Sequence, residues 1–500
     1  MSGWLRWLAC GLCVACSVSS EEPNTSVGGS SGQPSVVGGA NAGGGSGPQA
    51  GSTAAEAGHA GQDAAMGGEP AAAGDAATGG DASPTSGSAG TSAQAGSGPD
   101  VITGLEPTAP YPDSFYPPEN PYSPEKTLLG KILFWEEQLS SRDTHACGTC
   151  HQPGAGGSDP RAASSLLGAG PNGVFGDDDD ARGSGGVVRC DSAGAAKADP
   201  VYGLNVQLTP RKTPSSLDAW FFDELFWDGR ARSSFVDPVT GTVAIEAGGA
   251  LESQAAGPPV SSSEMSCEGY GWTDIESKIA AATPLKLARQ IPQALAEAIG
   301  LHPTYPSLFE WAYGSPEVTA RRILFAIATY ERQLRSDQTP WDRFNAGDAD
   351  ALTADQQAGL AVFNVKARCS TCHAAPLFTD NKFHNIGAQV SELDPGRSAI
   401  SGDQADLGKM KTPSLRNVGL RAAGGLLHFG TGGGATLRSV LGVYRQGGTH
   451  HEHTDPEIRP LNMPDYEFEQ LLDFVQNGLT DARAAAELPP FDRPRLGSER

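Results

Sequence analysis

Basic residues are scarce in this sequence of 500 residues. Lysine and arginine together number 35, against 58 aspartate and glutamate residues, so the formal net charge is −23. Proteins that bind nucleic acids need a basic surface that can neutralise phosphates. The composition therefore argues against a nucleic acid as the partner.

Aromatic residues are almost absent from residues 24–100, which consist mainly of glycine, alanine and serine. Such a segment cannot bury enough apolar surface to offset the chain entropy that it would lose on folding. We therefore predict a disordered tether over residues 21–105. Roughly 400 residues remain, which is enough for two domains.

The N-terminus lacks an apolar run of the length that a membrane span requires. Residues 1–20 contain one arginine, a short apolar stretch and then small residues, a pattern typical of an export signal. Cys16 follows Val14 and Ala15 and resembles a lipoprotein processing site, although Cys13 stands where leucine is usual. Two outcomes are open: a lipid anchor at Cys16, which would be the chain's link to a membrane, or a cleaved signal and a free exported protein.

Cysteine is limited to nine residues, but four of them form two C-x-x-C-H motifs, at residues 147–151 and 369–373. Two thiols at this spacing can bond to the two vinyl groups of one porphyrin, and the adjacent histidine can then bind the iron. One such motif could equally belong to a zinc site or a redox-active pair, but two motifs that each end in histidine favour haem. We predict two covalently bound c-type haems, attached through Cys147, Cys150, Cys369 and Cys372, with His151 and His373 beneath them.

Two cysteines outside the signal and the haem motifs are left over, Cys190 and Cys267. Because c-type haem is attached outside the cytoplasm in bacteria, the chain would fold in an oxidising compartment. There a leftover pair favours a disulfide. Two separate buried thiols are the alternative.

Alternating strand patterns are scarce, and helical periodicity dominates the rest of the chain. Ser123 and Pro124 are typical of a helix start, which predicts a helix over residues 124–138 that leads to the first haem motif. Further helices are predicted over residues 275–282, 285–299, 319–334, 355–363, 436–444 and 465–478. We expect a mainly α-helical protein with long loops, including a glycine-rich insertion over residues 152–202.

Six motifs follow one another between residues 107 and 483. They are LGKILF (129–134), FWDGRA (226–231), the spacing Gln254…Pro258…Glu264-Met265, ATYERQL (328–334), TPSLRNV (412–418) and VYRQGG (443–448). In these motifs the chain resembles the bacterial di-haem cytochrome c peroxidase family, and more closely its MauG-like branch. The resemblance implies two cytochrome c-like domains, an N-terminal haem domain at residues 106–336 and a C-terminal one at 337–485, followed by a tail at 486–500.

The resemblance also implies roles for side chains around the first haem. His151 is the proximal ligand, Glu264 the distal acid that moves protons during peroxide cleavage, and Gln254 the distal amide. Many relatives carry a distal histidine as well. Here no histidine lies between residues 151 and 302, and the matching position falls near Leu204, so the first iron should be open, as in the MauG-like branch. Without the family spacing, Glu264 would be a helix-terminal charge and Gln254 a surface group.

For the second haem the resemblance implies His373 as proximal ligand. Trp227 matches a tryptophan placed between the two haems, with a plain core aromatic as the alternative. Tyr444 stands at the second distal position, where the MauG-like branch also has tyrosine, and Met463 is a rival. A phenolate donor favours ferric over ferrous iron and would lower the reduction potential. His428 is expected to pack near this haem rather than to ligate it.

A calcium ion between the domains is another feature that the resemblance implies, and for this chain it stays open. The asparagine that binds calcium in the family falls at Lys212 here, and the region of the carbonyl ligands falls near residues 421–423.

Three functions are compatible with these features. The first is a peroxidase that reduces hydrogen peroxide at the N-terminal haem, with electrons from a small donor of the cytochrome c or cupredoxin type relayed through the C-terminal haem. The second is a MauG-like oxidase that uses peroxide to oxidise side chains of a partner protein. The third is a tethered electron carrier, which an open iron near Glu264 argues against. Each would be exported, to the periplasm or as a lipoprotein of the outer envelope.

Overall fold

The computed structural model describes residues 105, 108–161, 167–170, 172–177, 179–389, 391–428, 436–450 and 452–499. The predicted export signal, Cys16 and nearly all of the predicted tether lie outside the described residues. All described residues belong to one compact unit. Among the described helices, none has the length and apolar character that a membrane crossing requires.

Helices dominate the described chain, as the sequence predicts. The α-helices are α1 Pro124–Phe134, α2 Cys147–Cys150, α3 Ala250–Ala255, α4 Trp272–Ala281, α5 Gln293–Leu301, α6 Tyr305–Tyr313, α7 Ala320–Glu331, α8 Pro340–Asn345, α9 Ala354–Ala361, α10 Ser398–Ser401, α11 Val418–Arg421, α12 Leu437–Gln446, α13 Asp465–Asp473 and α14 Ala482–Ala485.

The strands are short and form antiparallel pairs, β1 with β2, β3 with β4, β5 with β6 and β7 with β8. Their bounds are β1 Leu167–Gly168, β2 Ala181–Arg182, β3 Gly185–Val188, β4 Val206–Leu208, β5 Phe235–Val236, β6 Val243–Ile245, β7 Phe383–His384 and β8 Met410–Lys411. Four of them lie in or beside the glycine-rich insertion. That segment therefore contains regular structure where the sequence predicts only loop.

Helix α1 begins as predicted, because the Ser123 side chain accepts a hydrogen bond from the Lys126 amide at 3.1 Å. It ends at Phe134 rather than at residue 138. The cause lies at Glu136, whose backbone is extended and whose buried carboxylate accepts hydrogen bonds from the Leu285 amide and the Tyr305 hydroxyl. These long-range partners outweigh the local preference for helix.

The predicted helix over residues 285–299 is wrong in its first half. Proline at 292 has no N–H to donate within a helix, and the structure begins α5 directly after it. Leu285 and Gln290 have positive φ angles of 50° and 49°, which no continuous helix allows. The helices predicted to begin at Thr319 and Thr436 begin one residue later, and each threonine side chain caps its helix.

Two large hydrophobic clusters and a smaller third one, which includes Leu225 and Leu251, form the interior of the described chain. The first consists mainly of residues from 129 to 334, and the second of residues from 341 to 479. Helices α1 and α7 cross in the first cluster at Gly130, where a Cβ would overlap the carbonyl oxygen of Ala326. Phe491 and Leu496, in the segment predicted as a tail, are fully buried in this same cluster.

The predicted disulfide between Cys190 and Cys267 is confirmed, with the two Cα atoms 4.8 Å apart. It ties the glycine-rich insertion to the segment directly after Glu264. Gly186 of the insertion also packs against the backbone of Ser263 and Glu264, where a Cβ would not fit. The insertion is therefore part of the surroundings of Glu264.

Candidate haem sites

The first C-x-x-C-H motif opens onto a cavity of about 550 Å³ that Cys147, Cys150 and His151 line. Gly148 lies so close to the ring of buried Trp135 that a Cβ there would overlap it. The Nδ1 atom of His151 is 3.0 Å from the Gly157 carbonyl oxygen, so this carbonyl orients the ring and leaves Nε2 for a metal. Burial lowers the pKa of His151, which favours the neutral imidazole that metals bind.

The second motif has the same construction around a smaller cavity of about 280 Å³, lined by Cys369, Cys372 and His373. The Nδ1 atom of His373 lies 3.0 Å from the carbonyl oxygen of Phe378. Burial lowers the pKa of His373 to about 4. Both motifs thus present two thiols and an oriented, neutral imidazole to an internal space.

The walls of the cavities fit haem, which has a large apolar ring and ionised propionates. All four motif thiols are free of disulfides. Two buried polar atoms at the walls, Glu331 Oε2 and Arg421 Nε, have no partner within the described chain. Cys147, Cys150 and His151 would hold one haem, and Cys369, Cys372 and His373 the other. Bound haem would supply the one-electron redox chemistry that side chains lack.

Glu264 and Gln254 both line the first cavity, together with His151. Gln254 lies on α3, and Glu264 follows a turn that begins at Pro258. Burial raises the pKa of Glu264, while the nearby Arg230 guanidinium opposes that shift. The Glu264 carboxylate accepts no hydrogen bond from the residues that the structure describes. Both of its oxygens are therefore available to a small ligand.

The position that the resemblance assigns to a distal histidine, Leu204, is not among the residues that line this cavity. Leu204 is 64% exposed. Tyr202, two residues earlier, does line the cavity, and so does His145, just before the motif. Burial lowers the pKa of His145 to about 4. Neither residue was predicted as part of the site, although His145 lies two residues before the first haem motif.

Trp227 lines both cavities, as a residue between two haems must. Its indole N–H donates to the carbonyl oxygen of Lys212 at 2.7 Å, and its ring meets that of His428 edge-on, with centroids 4.5 Å apart. The preceding residue, Phe226, has a φ of 65°, which is unusual for a bulky side chain. His428 is buried and lines the second cavity, so it packs where the sequence predicts.

Tyr444 and Met463 both line the second cavity, so each candidate ligand of the second iron reaches the same space. Tyr444 lies on α12, and Met463 is buried just before α13. Burial raises the pKa of the Tyr444 phenol, so the neutral phenol is favoured unless a cation lies beside its oxygen. An iron ion would have to supply the charge that makes a phenolate stable there.

Glu331 and Arg421 are site residues that the sequence analysis did not single out. Burial raises the pKa of Glu331 to about 8 and lowers that of Arg421 to about 10. Glu331 belongs to the ATYERQL motif, which could have pointed to it. Arg421 lines both cavities, and only the tertiary structure reveals this.

Comparisons with known proteins agree with this geometry. The profile of the family described as di-haem cytochrome c peroxidase matches residues 124–350. The methylamine utilization protein MauG of Methylorubrum extorquens is 31% identical over 376 residues, covering 75% of this chain and 83% of that protein. Cytochrome-c peroxidase IdrP1 of Denitromonas iodatirespirans is 26% identical over 402 residues, covering 74% and 85%.

Among solved structures, a MauG-like protein associated with microbial copper homeostasis shares the fold. Its TM-score is 0.53 at 23% identity, over 76% of this chain and 96% of that one. The structural comparison and the sequence comparisons therefore agree with each other. The chain belongs to the di-haem cytochrome c peroxidase family and is a peroxide-related di-haem oxidoreductase.

Proposed function

We propose that this protein reduces hydrogen peroxide in the first cavity and receives the electrons through the second. The observation that carries the proposal is that Glu264, Gln254 and His151 line one cavity. A protein that only carries electrons needs no proton-transfer group, whereas both carboxylate oxygens of Glu264 are free to accept a proton.

Reduction of hydrogen peroxide to two molecules of water consumes two electrons and two protons. The Glu264 carboxylate can accept a proton from one peroxide oxygen and deliver it to the oxygen that leaves as water. Because burial raises its pKa, this carboxyl group exchanges protons closer to neutral pH than an exposed glutamate does. The Gln254 amide carries both donors and an acceptor, so it can orient the peroxide.

Electrons would pass between the cavities by way of Trp227. The residue lines both spaces, and its hydrogen bond to the Lys212 carbonyl fixes the indole. We propose that a small soluble electron donor, of the cytochrome c or cupredoxin type, delivers them near the second haem. We also propose export to the periplasm, with or without a lipid anchor at Cys16, since covalent haem attachment requires it.

A second candidate function is the peroxide-dependent oxidation of side chains in a partner protein. Two observations favour it: Tyr444 lines the second cavity, and a relative at 31% identity is a MauG protein. A tyrosinate ligand would favour ferric iron and so oppose simple electron delivery.

One experiment separates the two. Peroxide is added to the purified haem-loaded protein with and without a reduced small cytochrome, and absorbance is followed. Continuous oxidation of the cytochrome supports peroxide reduction. A long-lived oxidised spectrum without turnover of the cytochrome supports protein oxidation instead. No reaction with peroxide in either arm contradicts both.

A further inference from the structure

Lys212 is a buried cation between the two cavities. Its side chain is almost fully enclosed, and the residue lines both spaces. The ammonium group donates to the carbonyl oxygen of Gly424 at 2.6 Å and to that of Asp159 at 3.2 Å. Asp159 follows the first haem motif, whereas Gly424 follows α11, which contributes Val418 to the second cluster. One ammonium thus joins the two parts of the molecule.

Both acceptors are neutral main-chain carbonyls, the kind of oxygen that also binds calcium. The Asp159 carboxylate is already engaged by the Arg161 guanidinium. A Cβ on Gly424 would overlap both the Lys212 Nζ atom and the Asp159 carbonyl oxygen. The space between these two carbonyl groups therefore holds the ammonium group and leaves no room for a side chain at position 424.

These residues do not fit the calcium ion that the family resemblance implies at this junction. A lysine at position 212 removes an oxygen ligand and adds a positive charge, which repels a divalent cation at contact distance. Burial lowers the pKa of Lys212 to about 8, the Asp159 carboxylate raises it, and the Arg161 and Arg182 guanidinium groups lower it. Because Arg161 already binds the Asp159 carboxylate, that carboxylate is not free to balance a divalent cation beside the ammonium.

We propose that the Lys212 ammonium replaces this divalent cation, so that the junction needs no calcium. The backbone of Lys212 also contacts Trp227 and His428. Its amide donates to His428 Nδ1 at 3.0 Å, and its carbonyl accepts the Trp227 indole N–H. The clamp on the ammonium therefore holds the backbone against which Trp227 and His428 are placed.

The first test is made on the wild-type holoprotein and needs no turnover. Calcium content is measured by mass spectrometry, and thermal unfolding is followed in a calcium chelator and in added calcium. We expect no stoichiometric calcium and the same melting temperature in both solutions. One calcium per chain, with a melting temperature that drops in chelator, would overturn the proposal.

Variants extend the test. Lys212→Met leaves both carbonyls without a donor and should lower the melting temperature by several degrees with or without calcium. Lys286→Met, at an exposed lysine, is the matched control and should melt like the wild type. Lys212→Asn restores an amide oxygen and should gain stability when calcium is added. A Lys212→Met variant as stable as the control, or a Lys212→Asn variant indifferent to calcium, would contradict the replacement.

Discussion

At the scale of residues, the proposed chemistry depends most on Glu264. Substitution of this residue by glutamine removes the group that accepts and returns the proton but keeps the size of the side chain. We expect the rate constant for reaction with peroxide to fall by about 100-fold or more, with unchanged haem content. Stopped-flow absorbance gives the rate, and Glu246→Gln, at an exposed glutamate, is the control. Wild-type kinetics in Glu264→Gln would exclude the proton-transfer role.

The pH dependence of the same rate tests the buried carboxyl group independently. Only the ionised form of Glu264 can accept a proton, and burial raises its pKa. The rate should therefore decline as the pH falls through a pKa above that of an exposed glutamate. This decline should be missing in Glu264→Gln. A profile that is identical in the two proteins would assign the titration to another group.

Tyr444 and Met463 compete for the second iron, and a pair of substitutions distinguishes them. If the phenol oxygen is the ligand, Tyr444→Phe should change the low-spin signal of the oxidised protein in electron paramagnetic resonance. Met463→Leu should then leave that signal as it is. The opposite pattern would give the role to the methionine sulfur, which lines the same cavity.

Residues that belong to a motif of fixed local spacing could be predicted from the sequence. The C-x-x-C-H motifs are visible without a fold, whereas Gln254 and Glu264 were assigned only through the resemblance to the family. Glu331, Arg421 and His145 were not predicted, because no family motif assigns a role to these side chains and only the structure shows that they line the cavity. The burial that shifts their pKa values likewise comes from tertiary packing.

At the scale of elements, the close contact between α1 and α7 depends on Gly130. A methyl group at this position would overlap the Ala326 carbonyl oxygen, which is backbone and cannot rotate away. We expect Gly130→Ala to lower the free energy of unfolding by about 1–3 kcal/mol, as overpacked cores do.

Gly300 offers a matched control within α5, because a Cβ there would meet nothing within 4 Å. Gly300→Ala should leave stability unchanged or raise it by up to about 1 kcal/mol, since alanine favours helix. Denaturant unfolding of the two variants measures both effects. Equal stability changes in the two would show that the helix crossing tolerates a side chain.

Helix starts that a capping side chain marks were predicted to within one residue, whereas the start of α5 and the end of α1 were not. Ser123, Thr319 and Thr436 each cap the helix that follows, because a capping side chain and its amide are neighbours in sequence. The end of α1 is decided instead by the distant partners of Glu136. Helices α9 and α13 each continue into a wider π-helical turn, which periodicity alone does not reveal.

At the scale of the whole molecule, two large hydrophobic clusters and the two cavities lie in one compact unit. Arg211 binds Asp228 through one nitrogen and Asp394 through two others, so it links FWDGRA to a loop of the C-terminal half. Lys212 adds a second link beside it. The family resemblance implies two similar haem domains. The side chains that link them, Arg211 and Lys212, belong to no pattern that can be recognised in the sequence.

We propose that the first haem has an open face near Glu264 and that the second has ligands on both faces. Electron paramagnetic resonance of the fully oxidised, haem-loaded protein tests this most directly. We expect one high-spin and one low-spin ferric haem in equal spin concentrations. Two low-spin signals would contradict it, because a protein atom would then occupy the face where peroxide must bind.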